Sequence, residues 1–74
     1  MSPEQALQAG NAFARAHLQV IEAAYGKDVA SAYAAGHAWA ARDFVSEVIN
    51  PRAAYDLCQE LADYAASTFL PEGA

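Results

Sequence analysis

Cysteine is scarce in this sequence: Cys58 is the single one among 74 residues, so no disulfide can form within the chain. A chain this short buries only about 60% of the surface that unfolding exposes, and it often needs a disulfide, a metal or a partner subunit. Cys58 falls on the apolar face of the last predicted helix, which favours a buried structural thiol over a catalytic one. The lack of paired cysteines also favours a cytoplasmic protein. Association with another subunit is therefore the expected source of extra stability.

Basic residues are also few, with four Lys and Arg against nine Asp and Glu, and the formal net charge is −5. Direct binding of nucleic acid requires a basic stripe, so we do not expect it. The acidic residues are spread along the chain and favour solubility. Asp56, Glu60 and Asp63 share one helical face at spacings of four and three. We interpret that face as solvated rather than as a site.

Long apolar runs and catalytic motifs are missing. No stretch approaches the roughly 18 uninterrupted apolar residues of a membrane helix, and residues 1–5 lack the features of a signal peptide. The sequence has no Gly-rich phosphate loop, no Gly-x-Ser-x-Gly and no Cys-x-x-Cys. We therefore expect a non-enzymatic protein without a membrane span or a cofactor. The high alanine content is typical of GC-rich bacterial or phage genes.

Helical periodicity runs through the chain, and no strand pattern interrupts it. Apolar residues recur every three or four positions and predict helices over residues 3–25, 29–49 and 51–69. The short connections make consecutive helices antiparallel neighbours. We therefore predict an all-α fold, a single domain over residues 1–74, in which three helices form an up-down-up bundle completed by dimerisation. Residues 71–74 are predicted to form a tail.

Residues that start and stop helices support these bounds. Ser2 and Gln5 can form a capping box around the first turn of the first helix. Gly26 suits a left-handed helix end. Asp28 is the predicted N-cap of the second helix, and Asn50 that of the third, where a proline follows it.

The second predicted helix carries a ridge of small residues beside the only tryptophan. Ala32, Gly36 and Ala40 recur every four residues, and a glycine inside a helix costs about 1 kcal/mol relative to alanine. Close approach of another backbone can offset that cost, although such ladders also arise by chance in an alanine-rich chain. Trp39 lies nearly opposite the apolar face of this helix, which suits an intermolecular interface. The alternative is a tryptophan at the rim of the monomer core. The predicted partner or self-interface comprises Ala32, Gly36, Trp39, Ala40, Arg42 and Asp43, the last two as its polar rim. The wide apolar face of the first helix is the alternative surface for the dimer.

Two histidines and a tyrosine are predicted to form a polar layer. Residues equidistant from a turn lie level in an antiparallel hairpin, so His17 should meet His37, with Tyr64 level across the second turn. We interpret the layer as structural, because buried polar groups require hydrogen-bond partners. A pH-sensitive element and a ligand or metal site remain open. Two histidines lack the usual third and fourth metal ligands, and Cys58 or Asp63 would have to turn inward to supply them.

These observations predict a small, non-enzymatic, cytoplasmic protein-interaction module. It would act as a regulator or inhibitor by binding another protein, as a homodimer. The alternative is a small-ligand or metal-binding helical protein that uses His17, His37 and Tyr64. A third option is a subunit of a larger complex that lacks a stable free state.

Overall fold

The computed structural model describes residues 1–70 and contains three α-helices. Helix α1 spans Pro3–Tyr25, α2 spans Lys27–Val48 and α3 spans Pro51–Phe69. No strand occurs within the described residues, and α2 contacts both α1 and α3, as a three-helix bundle requires. The predicted all-α class and the number of helices are confirmed. The predicted tail, residues 71–74, lies outside the described part of the chain.

The starts of α1 and α3 follow the predicted capping chemistry. The backbone N–H of Gln5 donates to the Ser2 hydroxyl at 3.1 Å, and the backbone N–H of Ser2 donates to Oε1 of Gln5 at 2.9 Å. This reciprocal pair is a capping box. At α3, the backbone N–H of Ala53 donates to Oδ1 of Asn50 at 2.7 Å. These bonds satisfy N–H groups that no carbonyl of the same helix can reach.

The junction of α1 and α2 is shorter than predicted. Gly26 alone separates the two helices, at φ 91° and ψ 170°, a backbone conformation that favours glycine. Its N–H donates to the Glu22 carbonyl at 2.8 Å, and its carbonyl accepts the N–H of Ala30 at 3.1 Å. Because helical hydrogen bonding reaches Gly26 from both sides, α2 already begins at Lys27. The prediction of Asp28 as N-cap was therefore wrong; its carboxylate lies in the first turn of α2, where the helix dipole favours it.

The chain divides into two compact units, Met1–His37 and a second unit that begins at Ala38, and α2 contributes to both. In the first unit, α1 and α2 bury only part of their apolar faces. Small residues hold much of this contact, so few large side chains are covered. The half-buried residues of this unit are Ala14, His17, Leu18, Ile21, Ala30 and Ala34.

The second unit contains the one buried residue of positions 1–70, Ala54, which is 5% exposed. It lies in the first turn of α3, close to the Asn50 cap. Around it the covered side chains are again mostly small. The half-buried residues of this unit are Val45, Ser46, Ala53, Leu57 and Ala65.

Candidate interaction surfaces

Large apolar side chains are mostly uncovered in this chain. Sixteen of them are exposed among residues 1–70, with exposed fractions from 41% for Tyr33 to 91% for Met1. Single exposed hydrophobic residues are ordinary, whereas contiguous apolar patches mark interaction surfaces. Covering one such side chain is worth about 1.5–3 kcal/mol. A partner that covers several of them would therefore gain substantial binding free energy.

The ridge predicted as an interface lies along α2 and is open. Trp39 is 65% exposed, and Ala32, Gly36 and Ala40 are exposed with it. A Cβ placed on Gly36 would meet nothing within 4 Å. No other backbone of the described chain therefore approaches the ridge closely enough to require glycine. Trp39 is thus largely uncovered by the described chain, and its intermolecular role stays a prediction.

The polar rim of this ridge contains an ion pair. Nε of Arg42 donates to Oδ1 of Asp43 at 2.9 Å, and both side chains are about half-exposed. The hydrogen bond to Asp43 and the charge of Asp43 raise the pKa of Arg42 above its ordinary value, with a minor contribution in the same direction from Cys58. An exposed pair of this kind contributes little to folding. It keeps a fixed pair of charges at the edge of the ridge.

The thiol of Cys58 is exposed, so the prediction of a buried structural cysteine was wrong. Cys58 is the residue after Leu57, so the two side chains point 100° apart around the axis of α3. Leu57 is half-buried and Ala54, four residues before Cys58, is buried, so Cys58 lies on the apolar side of α3 but is not covered by a neighbouring helix. The periodicity identified the apolar side of α3 but overestimated how much of it the chain covers.

The outer face of α3 holds its charges in local pairs. Nε of Arg52 donates to Oδ1 of Asp56 at 3.0 Å, and the Arg52 guanidinium lies 5.5 Å from the centroid of the Tyr55 ring. Nε2 of Gln59 donates to Oδ1 of Asp63 at 3.0 Å. These residues are exposed, which is consistent with the solvated face predicted for the carboxylates of α3.

Four rings meet where α1 packs on α2 in the first unit. Phe13 stacks on His17 with ring centroids 6.4 Å apart. His17 lies 5.2 Å from Tyr33 and 5.8 Å from His37, and Tyr33 lies 5.1 Å from His37. We call Phe13, His17, Tyr33 and His37 the ring cluster. The structure thus brings the two histidines together, as their equal distance from the turn predicted.

The hydrogen-bond partner in this cluster is Tyr33, which the sequence analysis did not select. The Tyr33 hydroxyl and Nε2 of His17 share a hydrogen bond of 2.8 Å. Tyr33 precedes His37 by four residues on the same face of α2, and that spacing was the signal that could have identified it. Tyr64, the predicted third member, lies on α3 and is 69% exposed. Its place in the layer stays a prediction.

The ring cluster offers two imidazoles as metal ligands. Within residues 1–70 no group of three or more His, Cys, Asp and Glu side chains is arranged to hold a metal ion. In the same range no carboxylate oxygen lies within 4 Å of either imidazole. A metal bound here would need further ligands from solvent or from another chain.

A shallow groove of about 230 Å³ lies between α1 and α2 near their junction. Leu18, Ala30 and Ala34 line it, with Glu22 and Lys27 at its charged edge. Pockets that bury small ligands measure about 300–1,000 Å³, so this groove is small for that role. Leu18 directly follows His17, and consecutive residues are 100° apart around a helix axis. The groove therefore lies on a different side of α1 from the ring cluster.

Comparison of the chain with protein-family models, with curated proteins and with solved structures gave no match. None of the three helices in residues 1–70 combines the length and the apolarity that crossing a bilayer requires.

Proposed function

We propose that this chain is a small non-enzymatic protein-interaction module that acts as a regulator or inhibitor by binding another protein, and that it is a homodimer. The observation that carries the proposal is the contrast between sixteen exposed large hydrophobic side chains and a single buried residue, Ala54, in positions 1–70. Surfaces of this kind are rare in isolated soluble chains and common in chains that bind partners.

Association also compensates for the small core. Half of the side chains that the chain itself covers are alanines, which contribute little hydrophobic stabilisation. A partner that binds only the folded chain raises its stability in proportion to the logarithm of partner concentration. The folded state should therefore become more stable as the concentration of its partner rises.

The ridge on α2 is the surface that we assign to the other protein. Trp39 offers a large exposed ring, and tryptophan is enriched among the residues that dominate binding free energy. Gly36 and Ala40 leave room beside the ring for a partner backbone or side chain. The Arg42–Asp43 pair supplies the polar edge that interfaces commonly have.

Site-specific photo-crosslinking tests this assignment. A benzoylphenylalanine placed at Gly36 fits the chain, because a side chain there meets no neighbour within 4 Å. In host cells it should give an adduct with a different protein, and Trp39→Ala should abolish that adduct. The matched control places the same photoreactive residue at Gln8, an exposed position on the polar face of α1.

Equal adducts from Gly36 and Gln8, or an adduct that survives Trp39→Ala, would contradict the assignment of the ridge. Adducts formed only between copies of the chain would make the ridge a self-interface instead. Each variant should retain its helical circular dichroism, so that a lost adduct reports on binding rather than on folding.

A further inference from the structure

The ring cluster belongs to a wider uncharged surface. Val20 follows His17 by three residues on α1, and Val29 precedes Tyr33 by four on α2, so both valines extend the side on which the rings lie. Phe13 is 73% exposed and Val20 64% exposed. We call this surface the ring face; it comprises Phe13, His17, Val20, Val29, Tyr33 and His37.

The carboxylates of the first unit lie away from the four rings. Glu4 and Glu22 are each nine residues from Phe13, which is two and a half helical turns, so they lie on the opposite side of α1. On α2, Asp28 and His37 are also nine positions apart, so Asp28 lies on the opposite side of α2 from His37. Two copies that each carry a net charge of −5 can therefore meet at the ring face without placing carboxylates opposite one another.

We infer that the ring face binds the ring face of a second copy of this chain, and that protonation of His17 and His37 releases that copy. This inference rests on the homodimer of the proposed function. It adds where the two copies meet and how pH controls their association. A two-fold interface uses the same patch on both subunits, which an uncharged patch of stacked and tilted rings permits.

The area of the ring face suits such a contact. An aromatic side chain buries about 150–250 Å², so the exposed parts of Phe13 and Tyr33 together present roughly 200 Å². The two valines and the two imidazoles add to this area. The ring face thus supplies a large part of the about 800 Å² that each partner contributes to a stable interface.

Burial between two copies would remove water from four imidazoles. Neutral imidazoles tolerate this, because they can form hydrogen bonds such as the one between His17 and Tyr33. An imidazolium without a carboxylate partner does not tolerate it. Tyr33 and His37, both on α2, are the titratable groups in ring contact with His17, and His37 in turn contacts His17 on α1 and Tyr33 on its own helix. Histidine ordinarily titrates near pH 6.5, so dissociation takes up protons and is favoured as the pH falls.

Sedimentation equilibrium of the full chain at pH about 7.5 and about 5.5 tests the inference. The dissociation constant of the wild-type dimer should rise at least about tenfold at the lower pH. The double variant His17→Gln, His37→Gln retains every carboxylate and phenol, and its dissociation constant should change by less than about twofold. Phe13→Glu should prevent dimerisation at both pH values, whereas Gln8→Glu, which adds the same charge on the polar face of α1, should not.

The outcomes separate this inference from the proposed function. A wild-type dissociation constant that stays constant, or that rises equally in the double variant, would overturn release by the histidines. A dimer that survives Phe13→Glu would overturn the ring face as its location and leave the homodimer standing. A single chain mass at both pH values would overturn the homodimer and this inference together. Circular dichroism of each variant establishes that the helices are intact.

Discussion

At the scale of single residues, the bond between Tyr33 and His17 is the one side-chain hydrogen bond that joins two helices within residues 1–70. The other side-chain hydrogen bonds there connect residues at most four positions apart. Both partners are partly exposed, so water competes for the bond. Its net contribution to stability should lie near the usual value of about 0.5–1.5 kcal/mol.

Tyr33→Phe removes this bond and retains the ring contacts with both histidines. We expect it to lower the free energy of unfolding by roughly 1 kcal/mol, measured by urea denaturation near neutral pH. Tyr64→Phe is the matched control, because the Tyr64 ring is 69% exposed on α3, and it should change the free energy of unfolding little. An equal loss for Tyr64→Phe would place Tyr64 in the polar layer, as the sequence predicted.

The sequence located the two histidines correctly because equal spacing from a turn is a property of the backbone alone. The sequence did not identify Tyr33 as the hydrogen-bond partner of His17, because several residues on each helix lie level with the histidines along the helix axes. Side-chain rotamers decide which of these residues forms the bond. Cys58 shows a related limit. Periodicity assigns a residue to a face, but the buried fraction of that residue depends on how closely the neighbouring helix approaches.

At the scale of helices, caps were the most predictable feature. Ser2 and Asn50 cap their helices as expected, because each presents a side-chain oxygen to nearby N–H groups whatever the rest of the chain does. The start of α2 was missed by two residues, because the rule that selected Asp28 assumes a loop before the helix. Gly26 instead accepts the first hydrogen bond of α2 directly.

The ridge on α2 gives a prediction at this scale. Gly36→Ala should raise the free energy of unfolding by up to about 1 kcal/mol, because the position is helical and open. Gly10→Ala, at an equally open helical position in α1, is the matched control and should behave alike. Gly26→Ala should be destabilising, because the positive φ of that residue disfavours a Cβ. Thermal or urea denaturation measures all three. A loss of stability for Gly36→Ala but not for Gly10→Ala would show that another chain approaches the ridge closely.

At the scale of the whole molecule, exposed apolar surface is the dominant feature. The sequence predicted that Trp39 lies away from the apolar face of its helix, and Trp39 is indeed exposed. It could not predict that so many other large side chains are exposed, since periodicity identifies apolar faces without showing which of them another helix covers. Under the proposed homodimer, a second copy of the chain covers part of those faces, and periodicity does not show where that copy binds.

Native mass spectrometry of the wild-type chain near neutral pH, over a range of concentrations, tests whether the chain is a homodimer. We predict a species with twice the 7.8 kDa mass of the chain, which becomes more abundant as concentration rises. A mass of one chain at every concentration, from a sample whose helices are intact by circular dichroism, would contradict it.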